Sequence, residues 1–237
     1  MENNHTKSVI IVAGGSGQRL GTAKPKQFLL LAGKPVLMHT IEKFYRAIPQ
    51  IKIILVLPFD HIEYWNRLIS EQRFLIAHQL VAGGDTRFES VKNGLAAVDD
   101  EGLVAIHDGV RPLVSEELIK RGFDLAEVHG GAIPVIAPSD SMRKVVDGKS
   151  SSRDRNKYQL VQTPQTFDAG LIKKAYTKPY KTAFTDDAFV FENDDNALIV
   201  YDGDRENIKI TWLVDLDFAE AMLRRRTSEE KDLGNRK

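Results

Sequence analysis

Two hydrophobic rhythms alternate along this chain. Short, nearly unbroken apolar runs at 8–13, 51–57, 76–81, 103–107, 131–137 and 197–201 have the length of strands. The run at 51–57, IKIILVL, is rich in β-branched residues and apolar but for Lys52, as a strand covered on both faces requires. Between the runs lie segments of helical period. In 35–48, Leu37, Ile41, Phe44, Tyr45 and Ile48 recur at helical spacing, and 61–70 shows a weaker version. Thr86 and Glu89 have capping-box spacing, which predicts a helix running through Val91, Leu95, Ala96 and Val98. Ser115 suits the cap of another helix, with Glu116 and Glu117 in its first turn. Further helices are predicted over 171–176, 186–192 and 215–226, the last with Leu216, Ala219 and Leu223 on one face.

Strand–helix alternation through residue 137 implies an α/β fold with a mostly parallel sheet flanked by helices. Ligands of such sheets bind at the carboxyl ends of strands. After about Ser139 the alternation stops. Residues 141–146, a polar tip at 147–150 and residues 157–162 read as a long β-hairpin, so 139–162 is expected to project as an arm. A hairpin with so little core of its own is expected to pack on another subunit, unless it is a plain surface loop. Thr163-Pro164-Gln165-Thr166 reads as a turn and 207–211 as a short strand-like stretch. The expected organisation is one domain over 1–226, with a polar, mixed-charge tail at 227–237 that should be flexible.

Composition narrows the partners. Net charge is zero, so nothing draws the whole chain to nucleic acid or an anionic membrane, and anion binding must come from local clusters. The absence of cysteine excludes disulfides, thiolate zinc sites and cysteine nucleophiles, and fits a cytoplasmic protein. The polar start, MENNHTK, lacks the apolar run of a signal peptide, and no stretch approaches the ~20 apolar residues of a membrane span.

One local cluster stands out. The strand 8–13 breaks into Gly14, Gly15, Ser16 and Gly17, and Arg19, Lys24 and Lys26 follow, with no acidic residue from Val9 to Leu37. Glycines let backbone N–H groups approach an anion, and the cations would neutralise it, so the stretch suggests a polyphosphate site. It is not a Walker loop, because Gly33-Lys34-Pro35 lacks the upstream glycine and the hydroxyl. Nor is it a dinucleotide fingerprint, because Leu20 stands where the third glycine belongs. Asp108, at a strand end and followed by Arg111, suits a magnesium ion bridging phosphates or, alternatively, a turn cap. His107 beside it reads as structural. Lys209, between Ile208 and Ile210, points opposite to them, into solvent or into a site. Thr185-Asp186-Asp187 could be only a helix cap, and Asp202-Gly203-Asp204 reads as a turn rather than a metal-binding D-x-D.

Taken together, AGGSGQR, PKQ, GGDTRFESV, HDGVRP, DSMRKV, QTPQTF, TDDA and NIKIT, in this order from about Ser8 to Arg226, resemble the 2-C-methyl-D-erythritol 4-phosphate cytidylyltransferase family. The ribitol-5-phosphate cytidylyltransferases are close relatives. The resemblance implies a Rossmann-like sheet of nucleotidyltransferase type and transfer of CMP from CTP to a polyol phosphate. It implies that Ala13, Gly14 and Gly15 contact the ribose and phosphates of CTP, and that Gly84, Asp85 and Ser90 recognise the base and ribose. Arg19, Lys26 and Lys209 match the catalytic cations. Asp108 matches the aspartate near magnesium and the acceptor, and Arg111 the arginine of that segment. Ser141 and Arg155 match arm positions that complete a neighbour's substrate site across a homodimer, with Thr163 and Thr185 contributed by the main body. Two departures appear: Gly109-Val110 stands where Ala-Ala or Ser-Val is common, and Ser141 replaces a threonine. Neither removes a charge.

The implied chemistry suits these residues. A phosphate monoester is largely ionised at neutral pH and needs no strong base. The protein has to hold two anions together and stabilise the charge that develops between them. The competing readings are the same transfer to D-ribitol 5-phosphate, a nucleotidyltransferase that prefers another nucleotide, and a non-catalytic nucleotide sensor.

Overall fold

The computed structural model describes residues 6–14, 24–192 and 196–234. Its elements run in the order β1 (Lys7–Val12), β2 (Leu30–Leu31), β3 (Lys34–Pro35), α1 (Val36–Ala47), β4 (Lys52–Leu57), α2 (Phe59–Glu71), β5 (Gln79–Ala82), α3 (Arg87–Leu95), β6 (Leu103–Asp108), α4 (Glu116–His129) and β7 (Gly131–Ile136). There follow β8 (Met142–Val146), β9 (Lys149–Arg153), β10 (Leu160–Val161), β11 (Gln165–Asp168), α5 (Ala169–Ala175), α6 (Asp187–Glu192), β12 (Ile199–Asp202) and α7 (Leu213–Gly234).

The main sheet has the order β5-β4-β1-β6-β11-β7, with β12 on the far side of β7. Neighbours are parallel except β11, which runs antiparallel to both β6 and β7, and β10, which runs antiparallel to β7. The mostly parallel α/β sheet expected from the alternation is therefore observed. Its strands are apolar on both faces because both faces are covered. Val9, Ile53, Leu55 and Ala105 turn toward α1, α2 and α4, while Ile10, Ile54, Val56 and Ile106 turn toward α3, α5 and α6. A third, smaller cluster joins Leu31, Val36, Val110, Leu113 and Ile210 to Ala219 of α7.

Helix α3 packs unusually close to the sheet because residue 94 is glycine. A β-carbon there would lie 2.7 Å from Ile10 Cγ2 and 3.0 Å from Val56 Cγ2. Those methyls are fixed to β-branched strand residues and cannot swing aside. Gly94→Ala should lower unfolding free energy by ~1–3 kcal/mol, the usual cost of overpacking, as read by urea denaturation. An unchanged midpoint would mean the helix can ride outward freely.

Several expectations need correction. The arm returns at once: Asp147 and Gly148 both have positive φ (49° and 75°), making a two-residue turn that pairs β8 with β9. The return strand is thus Lys149–Arg153, not 157–162, and within 157–162 Leu160–Val161 instead pairs with β7. The supposed turn at 163–166 hides β11, a buried strand inserted between β6 and β7. Its few residues follow Pro164, and a proline among polar residues reads as a turn. Residues 207–211 form no strand; Asn207 and Ile208 N–H donate to Asp204 and Glu206 carbonyls, and Ile210 N–H donates to Val110 carbonyl (2.9 Å). Helix α7 does not stop at 226 but continues to Gly234, through most of the stretch read as a flexible tail.

Candidate active site

The carboxyl ends of β1, β5 and β6 converge on a cleft of about 340 Å³. Its lining includes Ala13, Gly14, Lys26, Gly84, Asp85, Ser90, Asp108 and Lys209, eight of the residues singled out in the sequence. Gly15 and Arg19 lie outside the described residues.

The side of the cleft made by loops 13–14 and 83–85 is built by backbone and capping bonds. Ala13 N–H donates to Val56 carbonyl (3.0 Å), and Gly83 N–H to Leu57 carbonyl (2.8 Å), so both loops leave the sheet side by side. The expected capping box forms at the start of α3: Glu89 N–H donates to Thr86 Oγ1, and Thr86 N–H to Glu89 Oε2. Gly84 N–H then donates to the buried Ser90 hydroxyl (3.2 Å). A β-carbon at Gly84 would come within 2.4 Å of Glu89 Cβ, so only glycine allows this approach.

Lys26 starts a single 3-10 turn, Lys26–Phe28. Both following residues are buried anchors. Gln27 Nε2 donates to Ala13 carbonyl (2.9 Å), and the Phe28 ring packs edge-on against Tyr64. Lys26 is thereby placed in the cleft by its neighbours. Lys24 instead sits over the Tyr64 ring, 5.5 Å from its centre, at the outer side of that aromatic group.

Asp108 is the electrostatic centre. Lys209 Nζ and Arg111 Nε each lie 3.0 Å from its Oδ2. Burial favours the neutral acid, but Lys209, Arg87 and Arg111 outweigh burial and hold the carboxyl well below the usual range. Arg111 is fixed in turn by donating Nη1–H to Asn207 carbonyl (2.8 Å). Lys209 reaches Asp108 because Ile208 and the fully buried Ile210 turn inward on either side of it.

Thr163 lies beneath this centre rather than in the cleft lining. Asp108 N–H donates to its Oγ1 (3.0 Å), and that hydroxyl is 3.0 Å from His107 Nδ1. His107 Nε2 faces Arg111 carbonyl at 3.2 Å. A carbonyl only accepts, so Nε2 carries the proton and Nδ1 accepts from the threonine hydroxyl. Burial, partly offset by Asp108, pushes the His107 pKa down to about 3, so the ring stays neutral. His107 and Thr163 therefore position Asp108 and Arg111. Thr163→Val should cost ~1–3 kcal/mol of stability by orphaning a buried donor and acceptor, with Thr163→Ser close to wild type in the same denaturation experiment.

Besides Arg111 and Thr163, which support Asp108 from outside the cleft lining, Thr185, Ser141 and Arg155 are also absent from it. Thr185 is exposed just before α6; Ser141 and Arg155 are exposed on the arm and its root, where Arg155 Nη1 donates to Ser139 carbonyl. The D-x-D turn is structural: Gln162 grips the backbone of Asp204 through both its amide N–H (2.8 Å) and its oxygen (3.1 Å). Arg87 was missed. It lines the cleft and pairs with the fully buried Asp187, a residue 100 positions away that the sequence presents only as a helix-start acid.

Asp108 could contribute one ligand to a magnesium ion. Among the described residues no group of three histidine, aspartate or glutamate side chains could hold a metal. Magnesium commonly uses one or two carboxylates together with substrate phosphates, and a single ionised carboxylate beside a phosphate cleft fits that pattern.

Comparison with known proteins identifies the family. The curated 2-C-methyl-D-erythritol 4-phosphate cytidylyltransferase of Bacteroides thetaiotaomicron is 48% identical over 217 residues, covering 92% of this chain and 99% of the relative. That of Porphyromonas gingivalis is 49% identical, covering 90% and 96%. The crystal structure of 4-diphosphocytidyl-2C-methyl-D-erythritol synthase from Anaerococcus prevotii superposes with a TM-score of 0.78 at 31% identity, over 93% of this chain and 99% of that one. The 2-C-methyl-D-erythritol 4-phosphate cytidylyltransferase from Thermus thermophilus gives 0.74 at 29%, over 92% and 98%. The sequence model of the family described as IspD, 2-C-methyl-D-erythritol 4-phosphate cytidylyltransferase, matches residues 8–225, and the chain belongs to that family.

Proposed function

We propose that this protein transfers CMP from CTP to 2-C-methyl-D-erythritol 4-phosphate, releasing pyrophosphate and giving 4-diphosphocytidyl-2-C-methyl-D-erythritol. The observation that carries the reading is the meeting of Lys26, Lys209 and Asp108 in one cleft with the strand-end loops 13–14 and 83–85. Family membership supplies the substrate class.

The nucleotide occupies the side made by Ala13, Gly14, Gly84, Asp85 and Ser90, with Gly15 and Arg19 assigned to the same loop. The acceptor phosphate approaches from the side of Asp108, Arg111 and Lys209. One of its oxygens forms a bond to the α-phosphorus of CTP, and the bond from that phosphorus to the β-phosphate bridging oxygen breaks. Lys26 and Lys209 stabilise the charge that builds on the phosphoryl oxygens, and Arg19 is assigned the same task. Asp108 keeps Lys209 and Arg111 aimed rather than acting as a base. Asp108 would be the protein carboxylate that holds a magnesium ion, which would supply further charge neutralisation on the phosphates.

Homodimerisation completes the acceptor side in this reading. Ser141 and Arg155 are absent from the chain's own cleft, and the arm forms a separate two-stranded sheet that leaves Val145 and Val146 exposed. Both facts fit an arm that reaches a neighbour's site. Among the described residues no helix is long and apolar enough to cross a membrane, and the proposed location is the cytoplasm.

The deciding assay follows pyrophosphate release from CTP and magnesium with either methylerythritol phosphate or ribitol 5-phosphate. The proposal expects the first to be used at least ~100-fold better in kcat/KM, the scale at which polar contacts discriminate between acceptors. Preference for ribitol 5-phosphate would reassign the acceptor; no release with either would return the protein to a nucleotide-binding role.

A further inference from the structure

A buried ion pair ties Arg87 of the cleft lining to Asp187 at the start of α6. Arg87 follows the nucleotide-side loop directly, and Asp187 lies two residues beyond Thr185. The guanidinium makes a fork: Nη1 donates to Asp187 Oδ1 at 2.8 Å and Nη2 to Oδ2 at 2.6 Å. Tyr176 donates its hydroxyl to Oδ1 at 2.6 Å, and the Tyr176 ring stacks on Phe88, 4.6 Å between centres. Asp187 itself is fully buried.

The neighbouring residues extend the link to the sheet. Gln165 of β11 donates its amide to Asp186 Oδ2 (3.0 Å) and accepts from Ala188 N–H (2.8 Å). Segment 185–188 is thus held from two directions, by Arg87 on the nucleotide side and by β11 next to Asp108. A buried ion pair is a poor source of stability, because desolvation offsets its attraction. Its geometry, however, is rigid and directional. This pair sets the distance between the loop that precedes Arg87 and segment 185–188, where the resemblance assigns Thr185 to the acceptor.

We propose that Arg87 is a positioning residue that holds the 185–188 segment in register with the nucleotide loop, so that Thr185 meets the acceptor phosphate at the reacting distance. The proposal rests on the function assigned above and adds a residue pair to it.

The test compares wild type, Arg87→Met, Asp187→Asn and the double variant for melting temperature and for KM of each substrate. Each single change should raise the acceptor KM by ~10-fold while moving the CTP KM less than ~3-fold, since a small misplacement of one binding group is costly. The double variant should raise the acceptor KM no further than the singles do, because both act through one contact. It should nevertheless recover melting temperature lost by Arg87→Met, since no buried carboxylate is left unpaired. Recovery of the acceptor KM along with the melting temperature would overturn the proposal and leave the pair a structural one. A CTP KM raised by Arg87→Met but not by Asp187→Asn would also overturn it, making Arg87 a direct nucleotide contact. Should Asp187→Asn not fold, Arg87→Lys decides: it keeps the charge and loses the fork, so a wild-type acceptor KM would refute positioning. A wild type that uses neither polyol phosphate is a different result, overturning the assigned function before any variant is compared.

Discussion

Lys26→Ala is expected to lower kcat by more than ~100-fold, the loss seen when one electrostatic donor is removed from a charged transition state. The fold should persist. Lys26 contributes its side chain to the cleft, whereas the adjacent anchors are Gln27, bonded to Ala13 carbonyl, and Phe28, packed against Tyr64. The melting temperature is therefore a control that should stay close to wild type. Steady-state pyrophosphate release at varied CTP separates two roles. If Lys26 acts on charge that appears only during transfer, kcat falls and the CTP KM changes little. If it binds ground-state CTP and the transition state equally, KM rises with kcat intact. The structure favours the first, because Lys26 shares the cleft with Lys209 and Asp108 as well as with the nucleotide loops. A kcat near wild type would remove Lys26 from the catalytic set. Lys24→Ala is the matched control: its ammonium lies over the Tyr64 ring rather than in the cleft lining, so its effect should be small.

The elements most legible in the sequence were those whose signal is local. The two-sided apolar run ending at Leu57, the Thr86–Glu89 capping box and the Ser115 cap all depend on residues within a few positions of each other, and all appear as expected. The elements missed depend on partners far away. β11 spans only Gln165–Asp168 and begins with two polar residues, so nothing local marks it as a strand. It exists because β6 and β7 offer free edges on either side. The arm was legible as a hairpin, but its Asp147-Gly148 turn was read as part of a longer polar tip. The same division runs through the site. Gly84, Asp85 and Ser90 were reached only through the family resemblance that GGDTRFESV helps carry, whereas Asp108 could be singled out from its place at a strand end beside Arg111, with a turn cap as the alternative. Arg87 and Asp187 could not, because a salt bridge across 100 residues leaves no trace in spacing. The available hint was chemical: an aspartate followed by the apolar run AFVF is a candidate for burial, and a buried aspartate needs a cation. Thr163 shows the opposite case, a residue that the resemblance tied to the substrate and whose hydroxyl is spent on His107 and the Asp108 backbone.

Asp108→Asn is expected to be the more severe change, lowering kcat by ~1,000-fold, the upper end for loss of one preorganised group. The reason lies in what the carboxylate holds. Lys209 and Arg111 both bond Oδ2, and Arg87 adds to the field that keeps the group ionised. An asparagine retains the shape but offers a neutral oxygen, so Lys209 and Arg111 lose the charge that aims them. Two effects then oppose each other. The cleft gains net positive charge, which favours ground-state binding of the CTP triphosphate. The cations are no longer preorganised, which disfavours transfer. Because catalysis requires tighter binding of the transition state than of the substrate, the second effect sets the rate. The expected signature is a large fall in kcat with a CTP KM equal to or below that of wild type. A fall in kcat matched by a rise in CTP KM would contradict it, assigning Asp108 to nucleotide binding. The pH profile gives a second check. The surrounding cations hold Asp108 ionised across the whole neutral and mildly acidic range, so wild-type kcat/KM should decline on the acid side near pH ~6, where the acceptor's phosphate monoester takes up its proton. A decline centred near pH ~4, the ordinary range of a carboxyl group, would instead show Asp108 titrating and its ion pairs weaker than the geometry implies.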